Sequence, residues 1–187
     1  MNTFGSERFV RLEIGFWRPG TNHVPMTNDH GVFTRTVGHA LAGKNAHVET
    51  GTLFAGLDWK LAGVRPEGVP HSVFQLINHM TYWQEWAVRW LDGKRPRPPK
   101  HAAGGWPGRV SPANRLEWER AVKRFHTVLD ALHSRSLKED LFSRRGKMTR
   151  LEILHTIGSH NSYHAGQVAF LRQLLRAWPP LSGGITW

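Results

Sequence analysis

Residues 159–167 read SHNSYHAGQ and lie in the middle of the longest stretch that the sequence predicts to be one helix. Thr149 and Glu152 have the spacing of a capping box, in which each side chain accepts a hydrogen bond from the other residue's backbone N–H. No proline follows until residues 179–180, so we expect a helix from Thr149 to about Trp178. At 1.5 Å per residue such a helix is roughly 40 Å long and crosses a whole small domain.

One face of this predicted helix is apolar except for two histidines. At 100° per residue, seven side chains fall within about 80° of one another: Ile153, Ile157, His160, His164, Val168, Leu171 and Leu175. Histidines at positions i and i+4 have Cβ atoms about 6 Å apart, which suits two ligands of one metal ion. The alternative for each ring is a core histidine with an ordinary hydrogen-bond partner, and the presence of two on one apolar face favours the metal.

A second stripe of the same helix, nearly opposite the first, consists of small residues: Gly158, Ser159, Ser162, Ala165, Gly166 and Ala169. Small side chains allow another helix or segment to approach closely. The long helix is therefore predicted to be buried on two sides, with the second side a packing surface or a dimer surface.

The composition narrows the protein class and the metal chemistry. The 187 residues are enough for one domain with a sizeable core. The absence of cysteine excludes disulfides and thiolate ligands, so a metal site must use His, Asp or Glu. No apolar run approaches the roughly 18 residues that span a bilayer, and no signal-peptide pattern follows the start. We expect a cytoplasmic protein without a membrane partner.

The net charge of +11 is typical of proteins that bind nucleic acid. The positive residues are scattered, however, and the two densest clusters, residues 94–100 and 144–147, lie in predicted loops. No predicted helix has a basic face interleaved with aromatic residues. We therefore expect the charge to serve solubility or weak binding of anions, and we do not expect a nucleic-acid partner.

The fold class predicted from hydrophobic periodicity is an all-α four-helix bundle, formed by residues 31–187, with an irregular N-terminal extension at residues 1–30. The first helix is predicted to begin within residues 31–34 and to run past Val48. The third is predicted from Ser111 and Pro112 to about His133, with the serine as N-cap and the proline at the first helical position. The long helix is the fourth.

The second helix supplies a third candidate ligand. It is predicted to begin after Ser72, which forms a capping box with Gln75, and to end near Leu91. Its core stripe consists of Leu76, His79, Trp83, Trp86 and Trp90. If the second and fourth helices are neighbours, His79 converges with the histidine pair. Three imidazoles leave a position open for water or substrate, as in catalytic zinc sites, and Zn²⁺, Ni²⁺, Fe²⁺ and Co²⁺ all accept such ligands.

Other residues are weaker candidates. Gln167 lies one turn beyond His164. It is predicted to form a hydrogen bond with a ligand histidine or to line a pocket beside the site. Trp83 and His47 are possible pocket residues. His71 precedes a helix cap and is expected to make a local contact, whereas His155 lies on the small-residue face, away from the proposed metal.

These residues resemble the DinB/YfiT-like superfamily of metal-binding four-helix bundles. The resemblance depends on LINHM at residues 76–80, on HTIGSHNSYHAGQ at residues 155–167 and on LRQLL at residues 171–175. In that family a histidine follows an apolar pair in the second helix, and a later HxxxH is followed by a small residue and Gly-Gln. The resemblance implies that His79, His160 and His164 are the metal ligands.

The resemblance covers roughly residues 35–180 and implies functions that the residues alone do not indicate. Members often form homodimers. Characterised relatives include transferases and isomerases that use low-molecular-weight thiols, while many members have no known activity. We therefore expect a metal-dependent enzyme of the thiol S-transferase or hydrolase type. Zn²⁺ and Ni²⁺ are the metal ions that we expect first. The alternatives are a basic helical module that binds nucleic acid and a family member whose metal is purely structural.

Overall fold

The computed structural model describes residues 29–44, 46–138, 140–181 and 183. In chain order the elements are the helices α1 (Asp29–Ala42), α2 (Trp59–Ala62), α3 (Val73–Leu91) and α4 (Arg115–Ser136), a hairpin of β1 (Arg144–Arg145) and β2 (Met148–Thr149), and α5 (Arg150–Leu174). The four long helices confirm the predicted all-α bundle. The predicted extension at residues 1–30 lies outside the described residues, apart from the two residues with which α1 begins.

The four long helices form a closed ring. Helix α5 packs against α1 on one side and against α3 on the other, while α4 packs against both α3 and α1. The longest helix is therefore buried on two sides, as the two stripes of α5 predict. Within the described part of the chain, no helix is both long enough and apolar enough to cross a membrane.

Capping boxes fix the beginnings of α3 and α5, the two helices that carry the candidate ligands. The Ser72 hydroxyl accepts from the backbone N–H of Gln75 at 3.2 Å, and the Gln75 amide oxygen accepts from the N–H of Ser72 at 3.1 Å. Thr149 and Glu152 form the same pair of bonds, at 3.1 and 2.6 Å. Because these bonds satisfy the free N–H groups of each first turn locally, the sequence predicted both beginnings.

The first helix is shorter than predicted. Helix α1 ends at Ala42, whereas the apolar pattern predicted that it runs past Val48. Gly43 has φ +73°, and a Cβ there would lie 2.3 Å from the ring of His47, so the chain turns away from the helix at a position that requires glycine. Val48 is buried, but it belongs to the connection that follows.

The predicted beginning of the third helix is wrong by several residues. Helix α4 begins at Arg115, and Asn114 is its N-cap, accepting from the N–H of Glu117 at 3.0 Å. Ser111, the predicted cap, instead donates from its hydroxyl to the carbonyl of Gly63 at 2.9 Å. The side chain of Ser111 therefore makes a long-range contact and not the helix cap that the local pattern predicted.

The long helix ends earlier than its proline-free stretch suggests. Helix α5 ends at Leu174, not at about Trp178, and Arg176 follows with a left-handed backbone at φ +55°. The buried guanidinium of Arg172 donates to the carbonyls of Ala177 at 2.8 Å and Leu53 at 2.6 Å. These bonds hold the chain after α5 against the connection between α1 and α2.

Part of the small-residue stripe of α5 is covered by α1. A Cβ at Gly158 would lie 3.3 Å from the carbonyl carbon of Ala40, so the two helix backbones approach closely at this point. Ala165 is also buried, whereas Ser159 and Gly166 are exposed. The stripe is thus a packing surface within the chain over part of its length.

Candidate metal centre

Helices α3 and α5 bring three histidines together in the bundle. His79 projects from α3, and His160 and His164 project from successive turns of α5. One ring nitrogen from each residue can be chosen so that the three lie within 4.8 Å of one another. His79 and His164 are only 7% and 5% exposed, and His160 is partly buried. The structure therefore places the three predicted ligand residues in one cluster.

Two of the three rings are held from behind by hydrogen-bond acceptors. His79 Nδ1 lies 2.8 Å from the carbonyl oxygen of Gly105, and His164 Nδ1 lies 2.7 Å from Oε1 of Gln167. Because both oxygens accept, each Nδ1 must carry the proton, and each Nε2 is left with a free lone pair. Metal-binding histidines are oriented in this way by a partner on the outer nitrogen.

The third ring faces the first. Nε2 of His160 lies 3.2 Å from Nε2 of His79. Two imidazole ligands with bonds of 2.0–2.1 Å to a tetrahedral zinc have nitrogens about 3.3 Å apart. Within the described residues the donor set is three imidazoles and no carboxylate, and the spacing of His79 and His160 fits two ligands of one metal ion.

Burial keeps the three rings neutral. Burial, with smaller contributions from the neighbouring His164 and His79, lowers the pKa of His160 to about 3. Burial also lowers the pKa of His79 to about 4, although its hydrogen bond with Gly105 opposes this shift. The pKa of His164 is lowered by burial and raised in part by Gln167. At neutral pH all three imidazoles are thus uncharged, and the tautomers of His79 and His164 leave Nε2 of each ring unprotonated.

The loop after α3 closes over His79 with an aromatic stack. The ring of Trp106 lies on that of His79 with centroids 3.8 Å apart and 7° between the planes. His71 lies on the opposite face of Trp106, at 3.6 Å and 14°. The local contact that the sequence predicted for His71 is therefore wrong, and this residue belongs to the surroundings of the cluster. No local pattern marked it, because the stack joins residues 35 positions apart in the chain.

The other two candidate residues lie in different places. Trp83 flanks the cluster, with its ring centroid 6.5 Å from those of His79 and His160. His47 does not reach the cluster. Its Nδ1–H donates to the carbonyl of Val48 at 2.7 Å, which leaves its Nε2 to accept from the Ser162 hydroxyl at 2.9 Å.

A small cavity lies beside the histidine cluster, although none of the three histidines lines it. Its volume is about 210 Å³, and its wall includes His71 and Gln167, the residue that also holds His164. Leu76 and Phe170 supply apolar surface. Nδ1 of His71 is buried and has no hydrogen-bond partner within the described residues.

Comparison with known proteins supplies a family. The family model of the DinB superfamily matches residues 27–168, which is more than half of the chain and includes the three clustered histidines and Gln167. No curated protein and no solved structure matches the chain. The match establishes the family, and the helical bundle with its buried histidine cluster agrees with it. The chain therefore belongs to the DinB superfamily.

Proposed function

We propose that the protein binds one divalent metal ion through His79, His160 and His164. The observation that carries the proposal is the pair of acceptors behind the rings, the carbonyl of Gly105 and the amide of Gln167. A histidine that served only packing would not need its outer nitrogen fixed so that the inner lone pair points at two other imidazoles. Zn²⁺ and Ni²⁺ are our preferred ions, and Fe²⁺ also accepts imidazole ligands.

The protein's own residues hold the rings, keep them neutral and limit the access of water. Gly105 and Gln167 fix the tautomers of His79 and His164. Trp106 covers one face of His79, and Trp83 flanks the cluster. A divalent ion in this position supplies a Lewis acid that lowers the pKa of a coordinated thiol or water.

We further propose that the site is catalytic, of the thiol-dependent S-transferase or hydrolase type. The adjoining cavity supports a small-molecule substrate, because His71 and Gln167 put polar atoms on an otherwise apolar wall beside the cluster. Its volume of about 210 Å³ is below the usual 300–1,000 Å³ of ligand sites, so it suits one small group of a substrate and not a large one. A low-molecular-weight thiol fits this description.

A structural metal is the second candidate. His79 and His164 are buried between α3 and α5, so an ion bound there would join two helices of the bundle. If the role is only structural, removal of the metal lowers the melting temperature, and no thiol transfer or hydrolysis is lost with it.

We also propose a homodimer, formed through the outer face of α5. Tyr163, Phe170 and Leu174 are 67%, 56% and 49% exposed on this helix, beside the exposed Gly166 of the small-residue stripe. Light scattering on the purified protein tests the proposal, and a monomer that persists at the highest soluble concentration would exclude it.

The decisive experiment compares the metal content of three untagged proteins: the natural sequence, His160→Ala and His155→Ala. His155 is an exposed histidine of the same helix and serves as the matched control. We expect one equivalent of metal in the natural protein and the control and far less in His160→Ala. Absence of stoichiometric metal, or equal content in all three proteins, would overturn the proposal.

A further inference from the structure

Four residues from the two basic clusters of the sequence line one groove in the structure. Lys94 and Arg95 follow α3, and Arg144 and Lys147 belong to the hairpin some 50 residues later. All four line a single groove of about 610 Å³, which we call the basic groove. Its remaining wall is apolar or glycine: Trp86, Trp90, Gly93, Pro96, Pro98, Gly146 and Met148.

The backbone that presents these cations is anchored on both sides. Trp86 donates from its indole N–H to the carbonyl of Pro96 at 3.0 Å, which ties the loop after α3 back onto the helix. On the other side, Arg145 pairs with Met148 across a two-residue turn, and Gly146 adopts the positive φ of +68° that this turn requires. These hydrogen bonds fix the backbone from which the four cationic side chains extend.

Three of the four groove cations have no partner in the part of the chain that the structure describes. Within the described residues, the side chains of Lys94, Arg95 and Lys147 form no ion pair and no hydrogen bond, and all three are exposed. The nearest carboxylates along the chain have other partners. Asp92 accepts two bonds of 2.9 Å from Arg135, and Glu152 caps α5, with a weaker electrostatic contact to Arg144.

An aromatic surface forms the floor between the cations. Trp86 and Trp90 are both partly exposed. Within the described part of the chain, Trp90 has no stacked or edge-on ring partner, and its indole N–H donates to no protein acceptor. Trp90 packs against the core and is partly exposed, so it offers a planar ligand a stacking surface, and the four cations offer counter-charges to the anionic groups of that ligand.

We propose that the basic groove binds single-stranded nucleic acid, with its phosphates on the four cations and a base stacked on Trp90. A positive groove that follows the backbone, together with aromatic side chains that stack bases, is the combination by which proteins bind single strands without sequence preference. This site is separate from the metal-binding cluster. It departs from the expectation from sequence, which placed the two basic clusters in loops and expected no nucleic-acid partner.

The test measures binding of a fluorescently labelled 15-residue oligothymidylate by anisotropy, beside an abasic strand of the same length and charge. Stacking on Trp90 predicts that the abasic strand binds at least about fivefold more weakly. Four phosphate contacts predict that the affinity falls by about 50-fold between 50 and 200 mM salt.

Two variants with the same change in charge separate the groove from the net charge of the protein. One replaces the four groove cations by glutamine, and the other makes the same change at four exposed cations outside the groove: Arg35, Arg120, Lys123 and Lys138. The groove variant should lose at least about tenfold in affinity and most of the salt dependence, whereas the control should lose about threefold or less. Circular dichroism verifies that both variants are folded.

Several results would overturn the proposal. They are no binding at 50 mM salt, equal losses in the two charge variants, and equal affinity for the abasic strand. Equal binding of inorganic polyphosphate would show that the groove recognises charge alone. Trp90→Ala adds a further test, because it should weaken the thymidylate strand and leave the abasic strand unchanged.

Discussion

The interface between α3 and α5 contains two buried polar groups of different kinds. In the histidine cluster, the rings of His79 and His164 are each bonded to an outer acceptor, and their inner nitrogens face the cluster, where Nε2 of His79 lies 3.2 Å from Nε2 of His160. In the second group, Gln84 donates to Asn161 at 3.2 Å, and the remaining amide atoms, Oε1 of Gln84 and Nδ2 of Asn161, have no partner within the described residues. Both groups are buried, so burial alone does not mark a ligand site. The acceptors behind the histidines distinguish it.

The largest effect should come from removing a ligand. In His79→Ala we expect the affinity for Zn²⁺ to fall by more than about 100-fold. Removing a hydrogen-bond partner of a metal-binding histidine costs at most about that much, and removing the ligand itself should cost more. Competition with a chelator measures the affinity. A loss of less than tenfold would mean that the two polar groups are equivalent and that the cluster is not the metal site.

The acceptor behind His164 should have the next largest effect. Gln167→Leu removes the bond of 2.7 Å that fixes the ring, and we expect a loss of about 10- to 100-fold in metal affinity, because the ring is then free to rotate. Gln173→Leu changes an exposed glutamine on the same helix and is the control. Equal affinity in the two variants would show that the orientation of His164 does not depend on Gln167.

The amide pair should affect stability and not metal binding. Asn161→Leu leaves the buried Gln84 without its acceptor, so we expect the free energy of unfolding of the metal-free protein to fall by about 1–3 kcal/mol. Urea denaturation measures it. Replacing both residues, as Gln84→Met with Asn161→Leu, should restore most of this loss. A tenfold change in metal affinity in either variant would contradict the distinction between the two groups.

The smallest effect concerns the beginning of α5, which carries members of both groups. Thr149→Ala removes the N-cap and should lower the free energy of unfolding by about 1 kcal/mol without changing metal affinity. Thr156→Ala, at an exposed position within the helix, is the control. An equal loss in the control would show that the cap is not the cause.

The same cap gives α5 a predicted pH dependence. Hydrogen bonds from the backbone and side chain of Thr149 hold the pKa of Glu152 below its usual 4.5. The lowered pKa of this carboxylate stabilises the fold fully at pH values above the usual 4.5. This contribution is lost as the pH falls through the lower pKa of the folded protein. Urea denaturation between pH 3 and 6 should show a smaller acid-side loss in Thr149→Ala than in the natural protein. Equal losses in the two proteins would contradict the prediction.

Periodicity and capping predicted the bundle and put the three histidines on core faces, whereas their convergence also depends on α3 and α5 being neighbours. His160 and His164 share a face because of their spacing, and His79 lies in a helix whose beginning is fixed by a local capping box. The wheel was less accurate for the tryptophans of α3. The deepest positions are Ile77, Met80 and Ala87, while Trp83, Trp86 and Trp90 lie at the boundary, where they border the cluster and the basic groove.

What the sequence did not predict depends on contacts between distant segments. The acceptor for His79 is a backbone carbonyl at Gly105, and no side-chain pattern can mark a carbonyl. The stack of His71 on Trp106 and the meeting of the two basic clusters likewise require the path of the loop after α3. Local patterns also gave two wrong helix ends. Ser111 bonds to the carbonyl of Gly63 and does not cap α4, and Gly43 ends α1 earlier than the apolar pattern predicted.

The most direct test of the metal site is X-ray absorption spectroscopy on the zinc-loaded protein. The site as described predicts three imidazole nitrogens at about 2.0–2.1 Å from the zinc, and one fewer in His164→Ala. A coordination shell of oxygen atoms alone, or a spectrum that does not change in His164→Ala, would contradict the assignment of His79, His160 and His164 as the metal ligands.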